Sequence, residues 1–195
     1  MKQDTEFRLY QIAEDQAGYF SLSQAQALGL QRNQIYRELT RNKFIKAGAG
    51  VYRFVQFPAN RFEEIHRNML KAGADAVVGF ETALYVYDLS DNIPDEIHLI
   101  LPPTSSRRRP GIRVHTTKLL PTDSTHFEGL PITTIARTLV DCAFAHVDED
   151  QIRLAVSQSL HRGLTTKQKL IEQTENRPKR VQKLIKKLVG EVVVM

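Results

Sequence analysis

The sequence is poor in cysteine and has no long apolar run. Its one cysteine, Cys142, can form neither an internal disulfide nor a cysteine-based zinc site. No apolar stretch reaches the roughly 18 residues that a transmembrane helix needs. The polar first residues, 1–6, lack the apolar core of a signal peptide. These absences predict a cytoplasmic protein that has no membrane partner.

The chain also lacks the residue groupings that enzymes and metal proteins use. The segment Gly48-Ala49-Gly50 is not followed by the glycine, lysine and serine or threonine of a phosphate-binding loop. The histidines are scattered without the close helical spacing of a metal site. His98 and His115 lie on neighbouring predicted strands and could meet, but half-buried strand histidines are the more ordinary interpretation. We therefore expect no enzyme activity, no metal and no cofactor, and we expect Cys142 to be an inert buried thiol.

Basic charge is concentrated in separate blocks, although the net charge is only +5. Residues 1–57 carry eight basic and five acidic groups, whereas residues 58–104 carry three basic and eight acidic groups. Residues 105–118 hold five basic groups and no acid, and residues 161–190 hold nine basic groups and two acids. Locally focused positive charge predicts a polyanionic partner, although lysine-rich helix faces can also be merely solvated.

The first 57 residues predict three short helices and a hairpin. Apolar residues between 7 and 17 fit one helix face, and Ser21 and Gln24 have the spacing of a capping box. A third helix covers about residues 31–42, and β-prone runs around a glycine turn predict a hairpin over 45–54. A short helix, a glycine turn and a second helix are typical of a helix-turn-helix. The hairpin would then be its wing.

The third helix supplies a candidate DNA-reading face. With Ile35 and Leu39 inward, helical geometry points Asn33, Arg37 and Arg41 outward. Arginine can bond guanine in a bidentate manner, and asparagine or glutamine can do so with adenine. The alternative is the ordinary polar surface of a three-helix domain. The predicted DNA-binding residues, the last two of them phosphate contacts on the hairpin, are Arg32, Asn33, Gln34, Tyr36, Arg37, Arg41, Lys46 and Arg53.

A break in composition and a change in the sign of the charge near residue 58 predict two domains, 1–57 and 58–195. The second domain mixes helices with strands over 96–101 and 112–116 and a hairpin over 127–132. It ends in basic helices. The predicted fold class is therefore α+β, with an N-terminal winged helix-turn-helix domain followed by a mixed α+β domain.

The second domain contributes two further candidate groups. Arg137 and Asp141, four residues apart on one helix, predict a local ion pair that on a surface stabilises by only about 0.3–0.5 kcal/mol. The pair would either support the structure or orient Arg137 towards a partner. A second basic surface would extend the DNA footprint, contact RNA or meet an acidic toxin surface, unless it is only solvated. Its members are Arg107, Arg108, Arg109, Arg113, Arg180, Lys183 and Lys187.

Two sets of segments in this sequence resemble the two domains of one known family. The first set comprises Gly18–Ala25, Leu28–Leu30 and Lys46–Arg53, and the second comprises Phe80–Leu84, Ile97–Pro102 and Gly129–Asp141. The first set is similar to the winged-helix domain, and the second to the C-terminal domain, of the AbiEi-type antitoxins of type IV toxin–antitoxin systems linked to abortive phage infection. The resemblance spans about residues 5–160. It departs from the family at the wing. In the family, Gly-Val-Tyr usually follows a basic residue and a glycine, whereas here Ala49 precedes Gly50.

The resemblance implies a repressor of its own toxin–antitoxin operon whose separate C-terminal domain neutralises a nucleotidyltransferase-type toxin. The implied partners are double-stranded operator DNA and the cognate toxin, without the requirement of a stable complex with the toxin. An alternative from a different class is a protein-interaction module that neutralises the toxin by direct contact and does not read DNA specifically.

Overall fold

A computed structural model describes residues 3–103 and 110–192. The chain divides into two compact units, which we call unit 1 and unit 2. Unit 1 comprises residues 1–76 together with 126–130, and unit 2 comprises residues 77–125 together with 131–195. Unit 1 thus continues beyond residue 57, where the sequence predicts the boundary, because one further helix packs on its sheet.

Unit 1 alternates helices with short strands. Its elements are α1 (Gln3–Glu14), β1 (Tyr19–Ser21), α2 (Leu22–Ala27), α3 (Arg32–Thr40), β2 (Phe44–Gly48), β3 (Val51–Phe54) and α4 (Glu63–Ala72). The three predicted helices and the hairpin are present, with bounds that differ by a few residues. The three-residue strand β1 is absent from the predicted elements, since it is too short to show the alternation of a strand.

Local sequence signals set the ends of the short helices in unit 1. At the start of α2, Ser21 Oγ accepts from the Gln24 N–H at 3.1 Å, and Gln24 Oε1 accepts from the Ser21 N–H at 2.8 Å. This reciprocal pair is the predicted capping box. Between α2 and α3 the chain turns at Gly29, whose φ of +83° lies in the left-handed region that glycine tolerates best.

The sheet of unit 1 has strand order β1-β3-β2 and is antiparallel throughout. Because successive side chains on a strand point to opposite faces, it separates two apolar clusters. On one face, Phe20, Phe44 and Phe54 pack with α1, α2 and α3 as a core of contacting aromatic rings. On the other face, Tyr19 and Val51 form a smaller cluster with Leu70 of α4.

Unit 2 contains a mixed sheet and most of the helices in the described part of the chain. Its strands are β4 (Val77–Val78), β5 (Ile97–Leu101), β6 (Ile112–Thr116), β7 (Ser124–Phe127) and β8 (Leu130–Thr133), in the order β6-β5-β4-β8-β7. The end of β7 and the first residue of β8 fall within residues 126–130, which are grouped with unit 1. Its helices are α5 (Phe80–Val86), α6 (Ile135–Phe144), α7 (Glu149–His161), α8 (Lys167–Glu172) and α9 (Lys179–Glu191), with a 3₁₀ turn at Pro121–Asp123. The predicted mixed α+β class is confirmed.

Helix α6 lies at the centre of the helical layer of unit 2. It packs against α5, α7, α8 and α9, and all its residues from Ala136 to Ala143 are buried. Thr134 caps its first turn, and Asp148 caps α7 by accepting from two backbone N–H groups at 3.0 and 3.1 Å. Strands β5 and β6 pair in parallel, with Ile97 opposite Ile112. The sequence predicts that these strands are neighbours but not their direction.

Candidate functional site

Helix α3 presents one polar face to solvent. Ile35 on its opposite face is fully buried in the aromatic core of unit 1. This orientation is the one that a helical repeat of 3.6 residues gives when Ile35 is inward. The predicted DNA-binding residues that are exposed on α3 and at its end are Arg32, Asn33, Tyr36, Arg37 and Arg41.

A buried glutamate orients two of these arginines. The Glu38 side chain is 7% exposed, and its Oε1 lies 3.5 Å from Arg37 Nε and 3.4 Å from Arg41 Nη1. One carboxylate shared between two guanidinium groups restricts both side chains and still leaves a net positive charge. Glu38 is not among the predicted site residues, although its spacing of three from Arg41 places both on one side of the helix.

Gln34 and Tyr36 take part in contacts within unit 1. Gln34 is half-buried, and its Oε1 accepts from the Gln31 N–H at 2.7 Å, so that its amide oxygen caps the start of α3. Tyr36 is 49% exposed and lies near Tyr52. Burial raises the pKa of Tyr52, and Tyr36 raises it further, whereas Arg32 opposes the rise. Tyr36 and Arg32 therefore lie beside the same buried ring.

The two predicted cations of the hairpin have opposite environments. Lys46 on β2 is exposed, whereas Arg53 on β3 is only 9% exposed. Arg53 Nη2 donates to the carbonyl oxygens of Phe57 at 3.0 Å and Pro58 at 2.7 Å, and its Nε donates to the carbonyl oxygen of Ala17 at 3.3 Å. The expectation that Arg53 contacts phosphate is therefore corrected, because its donors bind the protein itself.

The predicted second basic surface is only partly covered by the structure. Arg107, Arg108 and Arg109 lie outside the described residues. Arg113 is exposed on β6, and Lys183 is exposed on α9. This surface therefore stays a prediction. Among the described residues, Arg113 and Lys183 are exposed cations of this surface for which no ion pair is found.

The other two α9 cations bind neighbouring elements of unit 2. Arg180 donates to the carbonyl oxygens of Ala143 at 3.2 Å and Phe144 at 2.6 Å, where α6 ends. Cationic side chains stabilise the last carbonyl groups of a helix, so Arg180 caps α6. Lys187 Nζ lies 2.9 Å from Glu149 Oε1 at the start of α7.

Arg137 and Asp141 belong to a buried charge cluster, and the expectation of a surface pair is wrong. Arg137 is 7% exposed and Asp141 2%. Arg137 Nε donates to Asp141 Oδ2 at 2.7 Å, and its Nη1 donates to Asp123 Oδ2 at 2.8 Å. Arg177 Nη2 donates to Asp141 Oδ1, and Gln173 Nε2 donates to Asp123 Oδ1 at 3.1 Å. We call these five side chains the Arg137 cluster.

The Arg137 cluster joins elements that are distant in sequence. It links the 3₁₀ turn before β7, helix α6, the residue that follows α8 and the segment before α9. Burial raises the pKa of the Asp141 carboxyl, and the adjacent Arg137 and Arg177 offset part of this rise. Both carboxylates and the Arg137 guanidinium group have ion-pair partners within the cluster. We therefore interpret the cluster as a structural support of unit 2.

His98 and His115 do meet, as the strand positions allow. Their ring centroids lie 5.2 Å apart, and the Phe80 ring stacks on His115 at 3.6 Å. Burial, together with the charge of Arg113, lowers the pKa of both histidines to about 4. Within the described residues, His98 Nδ1 and His115 Nε2 have no hydrogen-bond partner. We therefore expect both rings to be neutral at pH 7, with His98 buried and His115 half-buried.

The described residues hold no cluster suited to a metal ion, since no three or more side chains of His, Cys, Asp or Glu come together. Cys142 is fully buried, and burial raises the pKa of its thiol well above the ordinary value. A thiol held in its protonated form is a poor nucleophile. Among the same residues, no helix combines the length and the apolar character needed to cross a membrane.

Arg137→Met is expected to lower the free energy of unfolding by about 3–5 kcal/mol, because it leaves buried carboxylates without their main partner. Urea unfolding followed by circular dichroism measures this loss. The control is Arg153→Met, since Arg153 pairs with Glu149 at a partly exposed position and such pairs contribute about 1 kcal/mol or less. Equal, small losses in the two variants would contradict the role assigned to the Arg137 cluster.

Stability is expected to fall as the pH drops from about 6.5 to 4. Burial lowers the pKa of His66, His98 and His115 to about 4 from the ordinary 6.5. The unfolded chain therefore takes up protons in this window that the folded chain excludes, which favours unfolding. In urea titrations at pH 7, 6 and 5, His115→Phe should lose less stability than the wild type between pH 7 and pH 5. The exposed His126→Gln should keep the wild-type loss.

A family model described as the AbiEi antitoxin C-terminal domain matches residues 76–191. No curated protein matches the chain. Among solved structures, the chain is similar to the one titled "Crystal structure of RV2827C protein from Mycobacterium tuberculosis", with a TM-score of 0.59 and 14% identity over 96% of this chain and 76% of that one. That likeness shows the fold alone. Because the matched family segment covers more than half of the 195 residues, the chain belongs to the AbiEi antitoxin family.

Proposed function

We propose that the protein is a DNA-binding repressor of its own toxin–antitoxin operon and a type IV antitoxin against a nucleotidyltransferase-type toxin. The observation that carries the first part is the exposed face of α3. Asn33, Arg37 and Arg41 point to solvent there, and the glycine-turned hairpin β2–β3 follows directly. Family membership supports the second part, because an antitoxin acts on a toxin.

The order of elements in unit 1 supports a winged helix-turn-helix. Helices α2 and α3 follow each other across a four-residue turn, and β2 and β3 form the antiparallel hairpin that would be the wing. In this motif the second helix enters the major groove. Ile35 and the aromatic core hold α3 on the sheet, so its outer face would be offered to DNA on a rigid support.

Each side chain on the outer face of α3 suits a defined contact. Arg37 and Arg41 would bond guanine O6 and N7, and Asn33 would bond adenine N6 and N7. Glu38 would restrict the arginines before DNA arrives, which reduces the entropy lost on binding. Lys46 would contact phosphate, which positions the protein without reading sequence.

The antitoxin activity is proposed for unit 2, which contains nearly all of the matched family segment. A nucleotidyltransferase-type toxin is the partner that the family resemblance implies. The antitoxin would oppose it without the need for a stable complex. Of the predicted second basic surface, Arg113 and Lys183 are exposed and available to a polyanion or to an acidic toxin surface.

Fluorescence-anisotropy titration against the DNA upstream of the gene and against a scrambled duplex tests the repressor. Four exposed cations, Arg32, Arg37, Arg41 and Lys46, predict a slope of log affinity against log salt of about −3 to −5 per protomer. Arg37→Ala should weaken binding to the upstream DNA by about 1–3 kcal/mol and remove most of the preference over the scrambled duplex.

The control for this titration is Arg153→Ala, which removes an arginine of unit 2 whose charge is paired with Glu149. It should bind like the wild type. Weak binding of the wild type that is equal on both duplexes would contradict the repressor. It would instead favour a protein-interaction module that neutralises the toxin by direct contact.

A further inference from the structure

We infer that Lys71 of α4 is a second phosphate-binding cation of the wing, in addition to Lys46, and that it acts from the α4 side of the β2–β3 hairpin. This inference rests on the proposed DNA binding of unit 1. The sequence predicts no role for Lys71, which lies beyond residue 57 in a segment with more acidic than basic groups.

Helix α4 packs on the face of the sheet that points away from α3. Leu70 lies against the cluster of Tyr19 and Val51, and Ala47 of β2 packs on the same cluster. The next residue along α4, Lys71, is thereby carried to the end of β2, where the hairpin turns.

Gly48, the last residue of β2, makes room for the Lys71 side chain. A Cβ atom at Gly48 would lie 2.4 Å from Lys71 Cε and 3.4 Å from Lys71 Nζ. The first distance is far below a van der Waals contact, so any residue other than glycine would displace the lysine. The aliphatic stem of Lys71 therefore covers the hairpin backbone, and its ammonium group lies beside the hairpin turn.

Three other cations of unit 1, Arg67, Lys43 and Arg53, have protein partners, whereas the Lys71 side chain has none among the described residues. Arg67, one turn earlier on α4, has its Nη2 2.9 Å from Glu64 Oε1, and Lys43 at the start of the hairpin pairs with Glu6. Arg53 is bound to carbonyl groups. Lys71 is half-buried, and in residues 3–103 and 110–192 it makes no ion pair or hydrogen bond.

An ammonium group without a counter-charge in the protein is available to an external anion, and a phosphate oxygen supplies a charge-assisted acceptor. The hairpin turn itself is open, since a Cβ at Gly50 would meet nothing within 4 Å. Its backbone is held by a hydrogen bond from the Leu22 N–H to the Gly50 carbonyl oxygen at 2.7 Å. A phosphate group can thus approach a fixed turn beside which the Lys71 ammonium group lies on the α4 side, while Lys46 lies on the other face of β2.

The test measures the affinity of Lys71→Met and Lys71→Arg for the upstream and scrambled duplexes over a range of salt concentrations. Methionine keeps the unbranched stem that covers Gly48 and removes the charge, whereas arginine keeps the charge. Loss of one phosphate contact should reduce the magnitude of the slope of log affinity against log salt by about 0.9. At 0.1 M salt, this change corresponds to about an eightfold loss of affinity. Lys71→Met should show this loss on both duplexes, and Lys71→Arg should retain the wild-type slope.

Gly48→Ala supplies an independent variant, because it displaces the Lys71 side chain without changing any charge. It should weaken binding to both duplexes in the same direction as Lys71→Met. Adding Lys71→Met to Gly48→Ala should then cause little further loss. Thermal unfolding of each variant identifies any loss of fold, and Arg67→Met is the control for removal of a paired cation from α4.

The outcomes separate this inference from the proposed function. Sequence-selective binding by the wild type together with an unchanged salt slope in Lys71→Met would overturn the role of Lys71 alone. A loss confined to the upstream duplex would also overturn it, because a phosphate contact does not depend on sequence. Absence of DNA binding by the wild type would overturn both the repressor and the wing contact.

Discussion

The structure of unit 2 depends on a small set of buried charges that only one arrangement of its elements can pair. Arg137 lies between Asp123 and Asp141, and Asp141 also binds Arg177. A buried charge without a partner costs several kcal/mol, so the turn before β7, helix α6 and the segment before α9 must be in place together. The most specific part of the family resemblance, residues 129–141, ends in this cluster. A structural requirement therefore accounts for the charged residues of that segment.

Unit 1 separates its cations into two groups, and this separation gives it a candidate function. Arg53 is bound to main-chain carbonyl groups and Lys43 to Glu6, so both support the fold. Arg37 and Arg41 share the carboxylate of Glu38, and their side chains are 49% and 63% exposed. A rigid helix with oriented guanidinium groups is suited to major-groove contacts. Lys71, a half-buried cation whose side chain has no ion-pair partner among the described residues, extends the candidate interface.

Local patterns in the sequence predict the helices and the hairpin of unit 1, because caps and periodicity act over a few residues. The capping box of Ser21 and Gln24 and the inward direction of Ile35 are of this kind. Arg53 is buried on the face of the sheet that α4 covers. A local sequence pattern does not predict how α4 packs on that face. The spacing of Arg137 and Asp141 indicates an ion pair. Its burial depends on partners 14 and 36 residues away. The exposed face of α3 is predictable, but DNA binding by it remains a proposal.

The central claim is that DNA binding resides in unit 1 and toxin neutralisation in unit 2, so that one can be removed without the other. The most direct measurement places Arg37→Ala/Arg41→Ala in cells that carry the cognate toxin and a reporter under the upstream promoter. The account predicts that the reporter is fully derepressed while growth is rescued as by the wild type, at equal protein levels. Loss of growth rescue together with repression, in a variant that is folded and equally abundant, would contradict it.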